Sequence, residues 1–415
     1  MNSTSPLSGL TAPAGESALI ARGGARFWRV NLALFFGSFA TFAVLYCVQP
    51  LMPGFASAFS ISPAAASLSL SATTGVLAVA MAFAGTVSDV IGRKTVMTAS
   101  LAAAAAATLA AAFSRDWTTL IALRALTGLA LSGVPAVAMA YLAEEMDRSA
   151  IGLAMGLYIA GNTLGGMAGR LGGAAIAGAG GWRTAFAIVG FLSLGSALLF
   201  AVALPRERRA PPKTRLATLL PTIRMHFADP GLGYLFALGF LLMGALVTTY
   251  NYIGFRLAAP PFSLSQSTLG LVYSIYLVGA VSSAVMGELA GRFGRRRVIV
   301  VAIVLMPIGA LLTLPESLAL TILGVGVLTA GFFGGHSIAS SWVGLRAETG
   351  KAQASALYLF FYYVGSSLAG SFGGWVYAVC GWPGVAAFVG ALSALALAVA
   401  MKLARVPPPP RLRVT

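Results

Sequence analysis

Apolar residues in this chain run in stretches of about twenty broken by short polar turns, and very few folds absorb that pattern. Only 9% of the 415 residues are charged, 58% are hydrophobic, and the mean hydropathy is +0.87. A soluble domain carries about a quarter charged residues, so lipid is the environment this composition suits. Twelve helix-length segments can be placed, near 27–49, 66–88, 96–113, 118–142, 151–174, 184–204, 231–254, 268–290, 298–314, 318–342, 353–376 and 384–403. In hydrocarbon each backbone N–H and C=O has to find its partner within the protein, which leaves helices as the spanning element for segments of this length. The expected fold class is an all-α membrane protein of twelve transmembrane helices.

The net charge of +16 would suit nucleic acid, but its placement points to lipid headgroups instead. With both termini cytoplasmic, 22 of the 27 Lys and Arg fall in cytoplasmic segments, the other five being Arg115, Arg124, Arg170, Arg183 and Arg256. The stretch 205–230, the longest polar insertion, reads as a cytoplasmic linker with an amphipathic piece around 216–227. It separates six-helix bundles at 27–204 and 231–403. Residues 1–26, rich in Ser, Ala, Gly and Pro, read as a disordered cytoplasmic tail with no signal peptide, and 404–415 as a second tail. Cys47 and Cys380 both fall in apolar segments, which indicates packing and neither a disulfide framework nor a metal site.

A short charged turn occurs twice. Gly85-Thr-Val-Ser-Asp89-Val-Ile-Gly92-Arg93-Lys94 is echoed 202 residues later by Gly287-Glu-Leu-Ala-Gly291-Arg-Phe-Gly294-Arg295-Arg296. The first glycine of each copy is expected to let a helix end pack closely, the second to permit a tight reversal, and the basic pair to stay in water beside headgroups. A second repeat, offset by 200, sets Tyr158, Gly165, Gly173 and Gly181-Trp182 against Tyr358, Gly365, Gly373 and Gly381-Trp382. The chain therefore reads as duplicated, which suits a binding site between two halves.

The turn resembles the signature loop, G-x-x-x-D-x-x-G-R-K, of the major facilitator superfamily of secondary transporters, and the resemblance covers nearly the whole chain. It implies two six-helix bundles that rock about a central cavity. It also implies that Asp89 pairs with Arg93 and faces the start of helix 11, latching the outward-facing state. Gly291 stands at the Asp89 position of the second copy, so the same latch is not expected there. Residues 161–170, Gly-Asn-Thr-Leu-Gly-Gly-Met-Ala-Gly-Arg, resemble the YnfM, or acriflavine-sensitivity, branch of inner-membrane exporters. So do Tyr46-Cys-Val-Gln49-Pro50-Leu-Met-Pro53 and Asn251-Tyr-Ile-Gly-Phe-Arg256-Leu. The proline that generic multidrug exporters carry in helix 5 is absent.

Arg124, followed by Gly128 and Gly133, resembles the superfamily's intramembrane arginine of helix 4, to which the resemblance attaches a part in proton transfer. Snorkelling to the outer headgroups is the competing reading. Asn162 and Arg170 share one face of helix 5, about 12 Å apart. An anionic group would meet Arg170 together with Arg124, unless Asn162 and Arg170 serve structural hydrogen bonds between helices 5 and 8. The substrate-cavity candidates are Gln49, Tyr158, Asn162, Arg170, Tyr250, Asn251, Tyr358 and Tyr362, with an interfacial aromatic belt as the alternative for the tyrosines. His336, the sole imidazole expected inside the membrane, is a coupling candidate with Arg124, unless serines of its own bundle hold it. All eleven carboxylates map to tails, loops or helix ends, which argues against a strictly cationic cargo. Proton coupling would then rest on Asp89, Glu288, His336 or the substrate's own titration.

These expectations combine into a secondary active transporter of a small organic compound in the bacterial inner membrane, working by alternating access as a proton-driven efflux antiporter. An importer or facilitator of an anionic or sugar-like metabolite is the alternative. The expected partners are the small-molecule substrate and the bilayer, with the proton gradient as energy source and a monomer as the working unit. No cofactor, metal or nucleic acid is expected. No grouping of nucleophile, base and metal ligand suits a membrane enzyme, and the loops are too short for a sensor's soluble domain.

Overall fold

The computed structural model describes residues 19–147, 149–207 and 216–407. The outer parts of both tails, Arg148 and linker residues 208–215 lie outside the described residues. In order, the helices are α1 (Ala25–Tyr46), α2 (Met52–Phe59), α3 (Pro63–Ile91), α4 (Arg93–Ala112), α5 (Trp117–Leu131), α6 (Pro135–Glu145) and α7 (Ile151–Ala203), then α8 (Leu216–Ala228), α9 (Pro230–Ala258), α10 (Gln266–Val272), α11 (Val278–Phe293), α12 (Arg295–Leu312), α13 (Leu318–Arg346) and α14 (Lys351–Arg405). The β-structure among the described residues is one isolated bridge, between Ile20 and Met146. Among the described residues, eight helical stretches are long and apolar enough to cross a membrane.

Local chemistry sets the breaks. α1 stops at Tyr46, short of Gln49, because Gln49-Pro50-Leu51 forms a tight 3-10 turn and Pro50 has no N–H to extend the ladder. The segment expected at 118–142 is likewise broken, with Pro135 opening its second part. Asp116 caps α5 by accepting from the Thr119 N–H, which holds its carboxyl below the usual carboxylate range. α7 and α14 run 53 and 55 residues, and each carries one non-helical glycine, Gly181 (φ 80°) and Gly381 (φ 61°). Positive φ is cheap for glycine alone, so each long helix is two helices joined at that residue.

The two signature turns share this device, with Gly92 at φ 94° and Gly294 at φ 88°. Two expectations about them need correction. A Cβ on Gly85 or Gly287 would meet nothing within 4 Å, so neither glycine serves close packing here. Arg93 does not stay in water either: it is 5% exposed, drawn inward by carboxylates. The first tail is also partly placed, since Ile20 is buried against the α6–α7 connection, donating to Glu145 O and accepting from the Asp147 N–H.

Small residues determine which helices touch. Gly161, Gly165 and Gly169 lie one turn apart on α7, and a Cβ on Gly165 would sit 2.2 Å from the Phe39 carbonyl oxygen of α1. The repeat does the same, with Gly365 of α14 placed 2.2 Å from the Phe240 carbonyl oxygen of α9. Such close backbone approach substitutes for the hydrophobic drive that lipid removes.

The halves 25–203 and 230–405 meet through α3 with α14 and α7 with α10. Hydrogen bonds between them run from Gln49 to Asn251, from Gln266 to the Pro50 carbonyl and from Ser367 to the Ser71 carbonyl. All three lie toward the end of the molecule far from the signature turns. On α3, Ser71 and Gly75 contact Ser367, whereas Ala82, about two turns further along the same face, is exposed. Gly85 continues that face, so its open surroundings follow from the halves parting toward the turn end.

Candidate functional site

The break after α1 creates the first part of the site. Ending the helix at Tyr46 removes the usual N–H partners of the Val44 and Leu45 carbonyls. Arg124, fully buried, takes them: Nη1 donates to Val44 O at 3.2 Å, Nη2 to Leu45 O at 3.1 Å, and Nε to Ser69 O at 2.9 Å. A guanidinium at a helix C-terminus is also favoured by the helix dipole. Arg124 therefore does not snorkel to the outer headgroups; it is buried, and three of its N–H groups are spent on backbone carbonyls. It pins the broken end of α1 to α3 and α5.

Past that break, Gln49 reaches between the halves. Its side-chain oxygen accepts from Arg170 Nε at 2.6 Å, and its amide nitrogen donates to Asn251 Oδ1 at 2.8 Å. Arg170, 1% exposed, also donates to Gly166 O, and its guanidinium carbon lies 4.1 Å from the Tyr46 ring centroid, 4.3 Å from that of Tyr276 and 5.6 Å from that of Tyr250. Arginine suits such stacking because its planar cation is weakly hydrated. Arg170 is thus the hub that joins α1 and α7 to α9 and the turn before α11. The hydrogen bonding expected from helix 5 to helix 8 is present between Arg170 and the Tyr276 hydroxyl, beside the ring contact. The Asn251 amide nitrogen is buried with no acceptor in reach.

The tyrosines are not a lipid-facing belt. Tyr250 is buried and shares a hydrogen bond with Thr329 at 2.8 Å. Tyr358 is buried against His336 Nδ1 at 2.8 Å, and the imidazole stacks on Phe332 and lies 4.8 Å from the Tyr362 ring. His336 is accordingly held by a tyrosine of α14 and not by the serines of its own helix. Tyr362 also lies against Tyr46, so contacts run from Asn251 through Gln49, Arg170, Tyr46 and Tyr362 to His336. Tyr158 and Asn162, one turn apart on α7, bring a hydroxyl and an amide together in the interior. Buried polar atoms are normally paired, so the Asn251 amide nitrogen marks a place where a ligand or water would be satisfied.

At the turn end, Arg93 donates from Nε and Nη2 to both carboxylate oxygens of Glu144 at 2.6 Å, with Asp89 at 3.4 Å and the Ser88 hydroxyl at 3.2 Å. Glu207 closes the start of α4, accepting from the Arg93 and Lys94 amides. In the second half, Arg346 donates twice to Asp229, at 2.7 Å each. The sequence reading missed Tyr46, Tyr276, Glu144, Glu207, Asp229 and Arg346. One signal was available: Glu144 and Arg346 stand 202 residues apart, the offset of the two turns.

Comparison with known proteins agrees with this architecture. The profile described as Major Facilitator Superfamily matches residues 34–261 and 246–415. The inner membrane transport protein YnfM of Escherichia coli is 45% identical over 387 residues, 93% of each chain. The uncharacterised MFS-type transporter YybF of Bacillus subtilis is 43% identical over 93% of this chain and 96% of its own. Among solved structures, a point mutant of the nucleoside transporter NupG superposes with a TM-score of 0.75 at 18% identity, covering 90% of this chain and 99% of that one, a likeness of fold.

Proposed function

The chain belongs to the major facilitator superfamily and is a multi-pass membrane transporter, not an enzyme; from that premise we propose that it moves a small organic compound across the bacterial inner membrane by alternating access. Twelve spans follow if α7 and α14 each count as two, α5 with α6 as one, and α12 as one. Both termini and both signature turns lie on the cytoplasmic side, and the working unit is a monomer. One observation carries the reading: the halves meet at one end and part at the other, with Arg170 and its tyrosines at their junction. On this orientation the conformation is inward-facing, and rocking would lay the start of α14 over Gly85 and Asp89, the latch.

Transport is outward and uses the proton gradient, with His336 as the group best placed to exchange a proton beside Tyr358 and Tyr362. A second reading, an importer or facilitator of an anionic or sugar-like metabolite, is favoured by the Arg170 guanidinium and by the carboxylate-free composition of the hub.

The test is flux in liposomes that contain the purified chain and a trapped pH dye, challenged with cationic dyes, organic anions and sugars. Proton movement tied to one substrate class is the expected result, with Arg170→Lys lowering that flux at least about tenfold because an ammonium cannot reproduce the stacked, forked contacts. Asp89→Asn should keep substrate binding and lose most transport. Substrate movement without protons would favour the facilitator, and no substrate-dependent flux would overturn the reading.

A further inference from the structure

The internal repeat sets a small, hydroxyl-bearing seam against the arginine hub. The 200-residue offset pairs Gly370 of α14 with Arg170 of α7. Gly165 and Gly365 rest on the Phe39 and Phe240 carbonyls, an offset of 201 between α1 and α9 that pairs Val247 with Tyr46. The 202-residue offset of the turns, carried back along the stretches that lead into them, pairs Ser71 and Thr74 with Tyr273 and Tyr276. An arginine and three tyrosines in one half thus correspond to a glycine, a valine, a serine and a threonine in the other. The polar atoms at that place are unpaired. A Cβ on Gly370 would sit 3.2 Å from Asn251 Nδ2 and 3.6 Å from Ser71 Oγ, so the two halves aim one polar atom each at this glycine. Neither atom has a hydrogen-bond partner, nor has Ser366 Oγ one turn before Gly370, and all three residues are buried to within 2%. Other buried serines of the apolar helices spend the hydroxyl on a backbone carbonyl a turn back, as Ser69 does on Ala66 and Ser393 on Val389.

We infer that this seam, between α3, α9 and α14, binds a small monovalent anion of the chloride class. Arg170 supplies the charge that selects it. The partners of that guanidinium are Gln49, the Gly166 carbonyl, Tyr276 and ring faces, all neutral, and among the described residues it forms no ion pair. A buried guanidinium without a counter-charge is costly at membrane depth. Its field reaches the seam through two amides. Arg170 Nε polarises the Gln49 side-chain carbonyl, Gln49 Nε2 donates in turn to Asn251 Oδ1, and each bond strengthens the next donor. Asn251 Nδ2 ends that chain, an N–H made more acidic and left without an acceptor. The Ser71 and Ser366 hydroxyls, free to turn their protons, complete a donor set that contains no carboxylate. A cation would meet no acid there, and a water would leave the Arg170 charge uncompensated. Glycine at 370 keeps a side chain out from among the donors, since any Cβ would press on Val247 at 3.1 Å and Asn251 at 3.2 Å. The inference goes beyond the transport reading and is independent of which substrate is carried.

Thermal unfolding of the full chain in detergent, titrated with sodium chloride against sodium gluconate at constant ionic strength, tests this. Wild type should be stabilised saturably by chloride and by bromide, because an ion that binds only the folded form raises its stability by mass action. The double variant Ser71→Ala/Ser366→Ala removes two donors without adding volume, and should raise the half-saturating chloride concentration at least about tenfold, the worth of a hydrogen bond to a charged group. Arg170→Gln lies outside the donor set and should weaken the chloride response as well, through loss of charge. Ser393→Ala, a buried serine whose hydroxyl is paired within its own helix, should leave the response unchanged. The serine pair keeps the test readable whatever Arg170→Gln does to folding, since it deletes only unpaired hydroxyls. No stabilisation of wild type by chloride beyond that in gluconate would overturn the inference and leave the seam to water. An equal chloride response in wild type and the serine pair would also overturn it, as a general salt effect.

Discussion

The two signature turns have one backbone and opposite electrostatics. Gly92 and Gly294 adopt nearly the same left-handed conformation, and each launches a helix on a basic residue. Around the first, three carboxylates converge on Arg93 and its helix start; around the second, Gly291 and Arg346 stand where Asp89 and Glu144 stood. The second half has not given up its buried ion pair but moved it, from the turn to Arg346 with Asp229 at the start of α9. Backbone duplication and charge placement are therefore separable: glycine dictates the reversal in both copies, while each half chooses which helix ends its arginine ties together.

The largest effect should come from removing the buried cation on one side only. Arg93→Gln removes a buried guanidinium that forks onto the Glu144 carboxylate and is expected to cost about 1.5–3 kcal/mol, the worth of hydrogen bonds to a charged group. Arg295→Gln removes an exposed cation with no acid beside it and should change stability by less than about 0.5 kcal/mol. Thermal unfolding of both variants in detergent checks the contrast, and equal shifts would mean that the inward fold of Arg93 carries no net stabilisation.

The architecture was legible because its signals are long-range in sequence and crude in chemistry. Twenty-residue apolar runs, two glycine turns and a tyrosine–glycine repeat needed no knowledge of contacts. The junction between halves was partly legible: Gln49, Arg170, Asn251 and Tyr250 were recognised as candidates and do converge. What the sequence could not show is where a polar group spends its donors. Arg124 reads as a functional charge until the break before Pro50 is known to leave the Val44 and Leu45 carbonyls without helical N–H partners beside it. Tyr276 looks like one more aromatic until Arg170 lies over its ring. Gly85 was expected at a packed helix end and stands in open space, because packing at that face depends on the conformation of the whole molecule.

A smaller effect should follow from Glu207. Its carboxylate sits on the Arg93 and Lys94 amides, so Glu207→Gln keeps an acceptor but loses the charge that complements the helix N-terminus, worth about 0.3–1 kcal/mol at low salt. Repeating the melt at high salt should erase much of the difference between variant and wild type, since screening acts on the charge and not on the hydrogen bond. A salt-independent loss would instead mean that Glu207 acts by shape, filling the space over Gly92, where a Cβ would lie 2.5 Å from its oxygen.

The smallest effect belongs to the second turn's own acid. Glu288 pairs with Arg292 one turn away, but their side chains are 64% and 70% exposed, so solvent already satisfies both. Exposed pairs of this spacing contribute about 0.3–0.5 kcal/mol, and Glu288→Gln should leave the melt within that range. The same variant bears on the proposed proton coupling, because Glu288 is an exposed acid near the turn. If transport also stays at the wild-type level, coupling lies elsewhere in the chain, and the contrast between the turns is purely structural. A variant that melts like wild type but no longer moves protons with substrate would give the second turn a part in coupling that its charge arrangement does not predict.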